Sequence, residues 1–315
     1  QKSKDYADKG ETWPFVNYQT DSQGANFGSY LTAGTHILDQ AQRIGGKTWP
    51  NNADRRYHGA VTLRQALQQS LNVVAVKVQL QVGNEYSANL IKKFGITTLV
   101  TEGETSDMNP AALALGGLTV GVKPIEMAQA YAVFPNGGVR QSSIAYTKVV
   151  DRNGKTILKS KSKSYKVLDE GVAWIMTDML KSVVTRGLGS PANLPNVTPG
   201  GKTGTTNENY DIWFDGFTPR YAASLWVGSD VNISLSGSSY LTARLWGKIM
   251  RQIPNADSGE YKKQPNNVVY YAGEYFTSGT EKGLYKYVPP KKKDDDKDKD
   301  KNDESKPESE SESDE

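Results

Sequence analysis

Apolar positions along this chain fall into two kinds of pattern, and the two are grouped rather than interleaved. Val61-Thr62-Leu63-Arg64-Gln65 opens a helix: Thr62 and Gln65 stand in capping-box spacing, and Leu63, Ala66, Leu67 and Val74 share one helical face. Val73, Val74, Val76 and Val78 are β-branched, which leaves 73–78 open between helix and strand. A break at Ser70-Leu71-Asn72 would set polar groups at a helix end. Helices are predicted over Asn84–Phe94, ended by Gly95, and over Asn109–Leu115, running into Gly116-Gly117. Another begins at Pro124 with Ile125, Ala128, Tyr131 and Ala132 on one face, and Pro135-Asn136-Gly137-Gly138 stops it. A longer helix over Asp169–Thr185 turns Val172, Ile175, Met176, Met179 and Val183 inward.

Strand signals come next. Ile144–Val150 and Thr156–Lys159 flank Asp151-Arg152-Asn153-Gly154, a hairpin turn. Gly201–Thr206, Ile212–Phe217 and Tyr221–Val227 read as three consecutive strands, and an amphipathic helix over Leu241–Ile253 follows, stopped by Pro254. Helices, then strands, then a helix is an α+β order with an antiparallel sheet. Residues 1–60, rich in Gly, Asn, Gln and aromatics, read as loops with short elements, a wrapping rather than a core, with a turn at Trp49-Pro50-Asn51-Asn52. The division expected is a main domain over 1–253, a small β-type extension over 254–290, and a charged tail over 291–315 that cannot found a core and is disordered.

Composition narrows the chemistry. The 315 residues include no cysteine and only His36 and His58. That excludes a thiol nucleophile, thiolate zinc sites, disulfides and a His-rich metal centre, and it weighs against a Ser-His-Asp triad. No apolar run is long enough to span a bilayer, and Gln1-Lys2-Ser3-Lys4 is no signal peptide. The tail carries 7 basic and 12 acidic residues; the preceding 290 carry 31 basic against 23 acidic. A basic body suits an anionic polymer, though many soluble proteins share that excess.

Pro199-Gly200-Gly201-Lys202-Thr203-Gly204-Thr205-Thr206 offers glycines, hydroxyls and one ammonium to an anionic group. Gly201-Lys202-Thr203 matches the end of a phosphate-binding P-loop. That motif also needs a glycine where Asn196 stands and a helix after the Thr, and strand-like residues follow instead. Asp211 and Asp215 could be read as paired carboxylates, but solvated strand ends are the plainer reading. Trp174, Trp226 and Trp246 are expected in the core.

Ser70-Leu71-Asn72 and Lys202-Thr203-Gly204 together resemble the S-x-N and K-T-G motifs of the penicillin-binding protein and serine β-lactamase superfamily. The flanks resemble the transpeptidase domain of class A (bifunctional) penicillin-binding proteins, Gram-positive type, over roughly residues 30–253. They include Trp49-Pro50-Asn51-Asn52, Tyr57-His58-Gly59, 62–72, Leu115-Gly116-Gly117-Leu118-Thr119 with Pro124-Ile125-Glu126-Met127, and Trp213-Phe214-Asp215-Gly216. Leu71 stands where class A β-lactamases carry Asp. The resemblance implies a serine β-lactamase/D,D-transpeptidase-like fold: an antiparallel sheet with helices on both faces and a helical subdomain, here incomplete at its N-terminus.

It also implies roles. Ser70 would relay a proton to the leaving amine, and Asn72 would hydrogen-bond the catalytic lysine and the substrate amide. Helix capping is the competing explanation for both residues. Lys202 would supply a positive field near Ser70. Thr203 and Thr205 would bind the substrate carboxylate, Gly204 would leave room for the acyl group, and the Thr205 N–H would form half of an oxyanion hole. The substrates implied are peptidoglycan stem peptides, with a D-Ala-D-Ala donor and an amine acceptor. β-Lactams are the implied inhibitors, with no cofactor and no nucleic acid.

The nucleophile motif S-x-x-K has no match before Ser70. Its one formal match, Ser160-Lys161-Ser162-Lys163, lies in a charged stretch that reads as a solvated loop. The expectation is that the nucleophile, a glycosyltransferase domain and a membrane anchor lie upstream, and that the protein works on the cell-wall side of the membrane. A non-catalytic module of the same fold, or a D,D-carboxypeptidase or β-lactamase relative, remains open beside the transpeptidase.

Overall fold

The chain is described here by a computed structural model covering residues 30–44 and 46–281. The helix predicted from the Thr62–Gln65 capping box forms where that box places it. β1 (His36–Asp39) pairs antiparallel with β4 (Gly59–Thr62), enclosing the short ladder of β2 (Arg43–Ile44) and β3 (Lys47–Thr48). Val61 and Thr62 are therefore strand, and α1 (Leu63–Gln69) starts at Leu63. The capping box is present in full: Thr62 Oγ1 accepts from the Gln65 N–H, and the Gln65 side chain accepts from the Thr62 N–H. Residues 30–60 are not merely a wrapping. Ile37 is fully buried and joins Val61, Ala66, Leu71 and Val74 in one apolar cluster.

The β-branched run is helical. α2 (Asn72–Val82) buries Val73, Val74, Val76, Lys77 and Gln79, so burial on several sides overrides local β propensity. α3 (Asn84–Phe94) ends at Gly95, whose φ of +102° only glycine takes comfortably. α4 (Pro110–Leu115) is capped by the Asn109 side chain on the Ala112 N–H, and α5 (Pro124–Ala132) starts on Pro124.

β5 (Val139–Gln141) pairs with β8 (Ser164–Lys166), and between them β6 (Lys148–Val150) and β7 (Thr156–Lys159) form the exposed hairpin predicted at 151–154. The formal S-x-x-K match sits in the loop between β7 and β8, where Lys161 and Lys163 are exposed. α6 (Glu170–Arg186), N-capped by Asp169, leads into β9 (Gly200–Thr205), β10 (Ile212–Phe217) and β11 (Ala222–Val227). These three strands form an antiparallel sheet in which β10 is central and β9 and β11 are edges.

α7 (Ser239–Gln252) packs on one face of that sheet: Trp246 and Met250 meet Phe214, with the Phe214 and Trp246 rings 5.2 Å apart, and Val184 of α6 joins the same cluster. The alternation of a strand turns Phe217 to the opposite face, where it meets Phe134 just beyond α5. Helices therefore cover both faces, as expected. Of the three tryptophans expected inside, only Trp246 is fully buried. Trp226 stands exposed on edge strand β11, its ring tilted against that of Trp213 at 6.1 Å, with its indole N–H on Asp211 Oδ1 at 2.8 Å. Trp174 is part-buried, its ring against Tyr275 and its N–H on the Lys262 carbonyl.

β12 (Val268–Tyr271) and β13 (Glu274–Thr277) form a hairpin within 254–281. It is bolted to the helical part. Arg64 of α1, largely buried, pairs with Glu274 of β13 through two nitrogens and with Asp178 of α6 at 2.7 Å. The expected tail at 291–315 lies outside the described residues. Among the described residues no helix is long and apolar enough to cross a membrane.

Candidate active site

Ser70 ends α1 in the left-handed region, at φ 56° and ψ 47°. The next N–H, from Leu71, bonds back to the Ala66 carbonyl at 3.0 Å, the six-to-one closure of a Schellman turn. Glycine usually takes this position, because a side chain there costs about 1 kcal/mol. Here serine takes it, and its hydroxyl bonds outside the turn. Leu71, buried in the cluster with Ile37 and Val74, then starts α2 with no side-chain cap of its own.

Capping does not account for Ser70 or Asn72. Ser70 Oγ receives the Lys202 ammonium at 2.7 Å, and Asn72 donates from Nδ2 to the Asn51 carbonyl at 2.9 Å. Lys202 also donates to the Thr203 carbonyl at 3.0 Å and lies 3.4 Å from Thr203 Oγ1. S-x-N and K-T-G are thus brought into direct contact across 132 residues. Burial holds the Lys202 pKa down at about 8.

The glycines of β9 divide into two kinds. A Cβ on Gly200 would lie 2.3 Å from the Phe217 ring, and one on Gly201 2.5 Å from Phe214 and 2.8 Å from the Asp215 carbonyl. These two positions are closed by packing. At Gly204 the nearest atom would be Trp213 Cβ at 3.2 Å, with nothing else nearer than 3.8 Å. β9 is an edge strand, so Gly204 borders open space where a ligand can approach the backbone. Thr203, next to Lys202 on β9, is buried, whereas Thr205 is exposed at the strand's end. Thr205 makes no described contact with Ser70 or Lys202.

Asp215 is not at a solvated strand end. It lies mid-strand, directly across from Lys202 on β9 and Ser224 on β11, and is only 5% exposed. Its Oδ1 has no hydrogen-bond partner, and burial pushes its pKa up to about 7. Tyr131 of α5 is part-buried, and desolvation of its phenol, with the charge of Asp215 adding to it, raises its pKa well above the ordinary value. Asp211, in contrast, caps the β10 entrance through Thr206 and Trp226. The two carboxylates do not act as a pair.

This arrangement defines a class: an α+β fold of the transpeptidase and β-lactamase type, with the S-x-N serine against the K-T-G lysine. The model of the penicillin binding protein transpeptidase domain matches residues 30–251, and the chain belongs to that family. It is 42% identical over 205 residues to penicillin-binding protein 1A of Clostridium botulinum, covering 64% of this chain and 24% of that protein. It is 33% identical over 278 residues to penicillin-binding protein 1A of Neisseria gonorrhoeae, covering 84% of this chain and 33% of the relative. The chain thus spans about a quarter to a third of these relatives, which come from Gram-positive and Gram-negative bacteria alike. Among solved structures, penicillin-binding protein 1A of Haemophilus influenzae superposes with a TM-score of 0.69 at 22% identity, covering 83% of this chain and 46% of that one. PonA1 of Mycobacterium tuberculosis gives 0.60 at 20%, over 75% and 68%. Both share the fold.

Proposed function

We propose that this chain supplies the substrate-binding and proton-relaying wall of a peptidoglycan D,D-transpeptidase site, in a cell-wall enzyme working outside the membrane. The contact between Lys202 Nζ and Ser70 Oγ carries this reading. A serine nucleophile from sequence N-terminal to Gln1, activated by the lysine three residues after it, would attack the D-Ala-D-Ala carbonyl. The carbonyl carbon gains the serine oxygen, the peptide bond to the terminal D-Ala breaks, and the proton taken from the serine returns to the departing amine. Ser70 would pass that proton: its hydroxyl accepts from Lys202, which leaves its own O–H to donate. An amine of a second stem peptide would then displace the serine.

Lys202 charged at neutral pH favours the substrate carboxylate, with Thr203 and Thr205 as hydroxyl donors. The Thr205 N–H would serve the developing oxyanion, a contribution typically worth ~3–4 kcal/mol. Gly204 leaves the acyl chain its place along the strand. Asn72 would contact the catalytic lysine and the peptide amide. We further propose a membrane anchor upstream and Gram-positive origin, with 1–253 as the catalytic unit, and this chain alone inert without the S-x-x-K segment. A binding-only module is the second reading, favoured by the position of the one S-x-x-K match, Ser160–Lys163, in the loop between β7 and β8.

The test is the full-length gene product, with any upstream S-x-x-K, treated with a fluorescent penicillin. A covalent adduct on that serine is the expected result. A protein that carries S-x-x-K and forms no adduct would sink the transpeptidase reading, and a gene lacking it would leave the binding-only module.

A further inference from the structure

Two buried polar side chains stand behind the turn that carries Ser70 and Asn72. Asn52 is 3% exposed and Asp39 is fully buried. Asn52 Nδ2 donates to both Asp39 oxygens, at 3.0 and 2.8 Å, and to the Arg56 carbonyl at 2.8 Å. Asp39 Oδ2 also accepts the His58 N–H at 2.9 Å. These bonds fix the Asn52 amide with its oxygen pointing the other way, where it accepts the Val73 N–H of α2 at 3.2 Å. The preceding residue, Asn51, receives the Asn72 side chain on its carbonyl.

The first turn of a helix has N–H groups that need acceptors from outside. α2 starts on buried Leu71, which has none to give, and Ser70 Oγ is committed to Lys202. The cap comes instead from Asn52, 21 residues upstream. One loop therefore sets both the start of α2 and the rotamer of Asn72, while Asp39 on β1 holds that loop.

We propose that Asn52, oriented by Asp39, is a positioning residue that sets Ser70 and Asn72 against the K-T-G strand. This rests on the transpeptidase reading above. It predicts that disturbing the pair slows acylation in correctly folded protein without much weakening initial penicillin binding to β9.

The experiment uses the full-length protein and a fluorescent penicillin, resolving the acylation rate, the initial affinity and the final labelled fraction. Asn52→Ala and Asp39→Asn are each expected to slow acylation about tenfold or more, against a change in initial affinity under about threefold. The labelled fraction at completion should stay at the wild-type level. The exchange Asp39→Asn with Asn52→Asp rebuilds a donor–acceptor pair and keeps an acceptor for the Val73 N–H. It should recover most of the lost rate, less what the unpaired Arg56 carbonyl costs.

A smaller labelled fraction reacting at the wild-type rate would mean that Asn52 matters only for folding, and would overturn the proposal. So would failure of the exchange variant to recover rate while melting like the wild type. If Asn52→Ala does not fold, Asp39→Asn and the exchange variant decide. Lys202→Ala runs alongside. Labelling that is lost in Lys202→Ala but normal in Asn52→Ala defeats this inference and spares the transpeptidase reading. A wild type that is never labelled defeats both.

Discussion

Lys202 and Ser70 meet at 2.7 Å although each is held by unrelated local structure: Ser70 by a Schellman turn, Lys202 by its place on an edge strand. The ammonium is already desolvated, with its pKa down at about 8. Lys202→Ala in the full-length protein is expected to slow penicillin acylation at least about a hundredfold, as loss of a preorganised charged donor typically does. The melting temperature should hold or rise at neutral pH, because a buried charge is removed. Equal loss of folding and reactivity would mark Lys202 as structural. In the wild type, acylation should decline as pH rises through about 8. Folding stability should run the opposite way. The unfolded chain holds this proton up to the ordinary lysine range, so stability gains as pH rises from about 8 towards 10.5, a trend that Lys202→Ala should lose.

Ser70 pays for its hydroxyl with a left-handed backbone. Ser70→Ala and Ser70→Gly both remove the contact to Lys202, so their difference isolates the backbone. The glycine variant should be more stable by about 1 kcal/mol in urea unfolding. Both should acylate slowly. Equal stability would mean that the turn carries no strain.

Asp215 gives a pH signature of its own. Its pKa, raised to about 7 from 3.8, means that the folded state binds its proton more tightly than the unfolded chain does. The associated stability is full below about pH 4 and is lost as pH rises through about 7. Asp215→Asn should remove that slope and raise the melting temperature at pH 8 more than at pH 4, by up to about 4 kcal/mol in stability. Melting curves of the variant that keep the wild-type slope between pH 4 and 7 would assign it to another group.

The glycines of β9 should separate by phenotype. Gly201→Ala drives a methyl into Phe214 and the Asp215 carbonyl and is expected to cost about 2 kcal/mol or more, within the range for overpacked interiors. Gly204→Ala meets only Trp213, at a distance that a small shift relieves. It should melt within a few degrees of wild type while losing penicillin labelling. A Gly204→Ala protein labelled at the wild-type rate would mean that no acyl group passes this point.

The sequence made the helices, the three-strand sheet and the site motifs legible because they rest on local signals: a capping box, an Asn-Gly turn, alternation around Phe214, and glycines beside a lysine. Asp215 was misread because a charged residue near a strand suggests solvent. Only the register, which places it opposite Lys202 and Ser224, reveals its burial. Trp226 was misread for the converse reason, since edge position is not encoded in a strand's own pattern. The Asp39–Asn52 pair left no local trace at all. Trp49-Pro50-Asn51-Asn52 reads as a turn, and nothing nearby says that its last side chain caps a helix starting twenty residues later.

Arg64 has a mechanical meaning. Through Glu274 it joins the C-terminal hairpin to the seven-residue helix whose end is Ser70, and through Asp178 it joins both to α6. Tension applied beyond residue 281 would pass through β13 into α1 and so reach Ser70's turn six residues on, without first unzipping β9 from β10. Displacing β13 would therefore strain the Arg64–Glu274 pair six residues before Ser70, while the β9–β10 ladder stays closed.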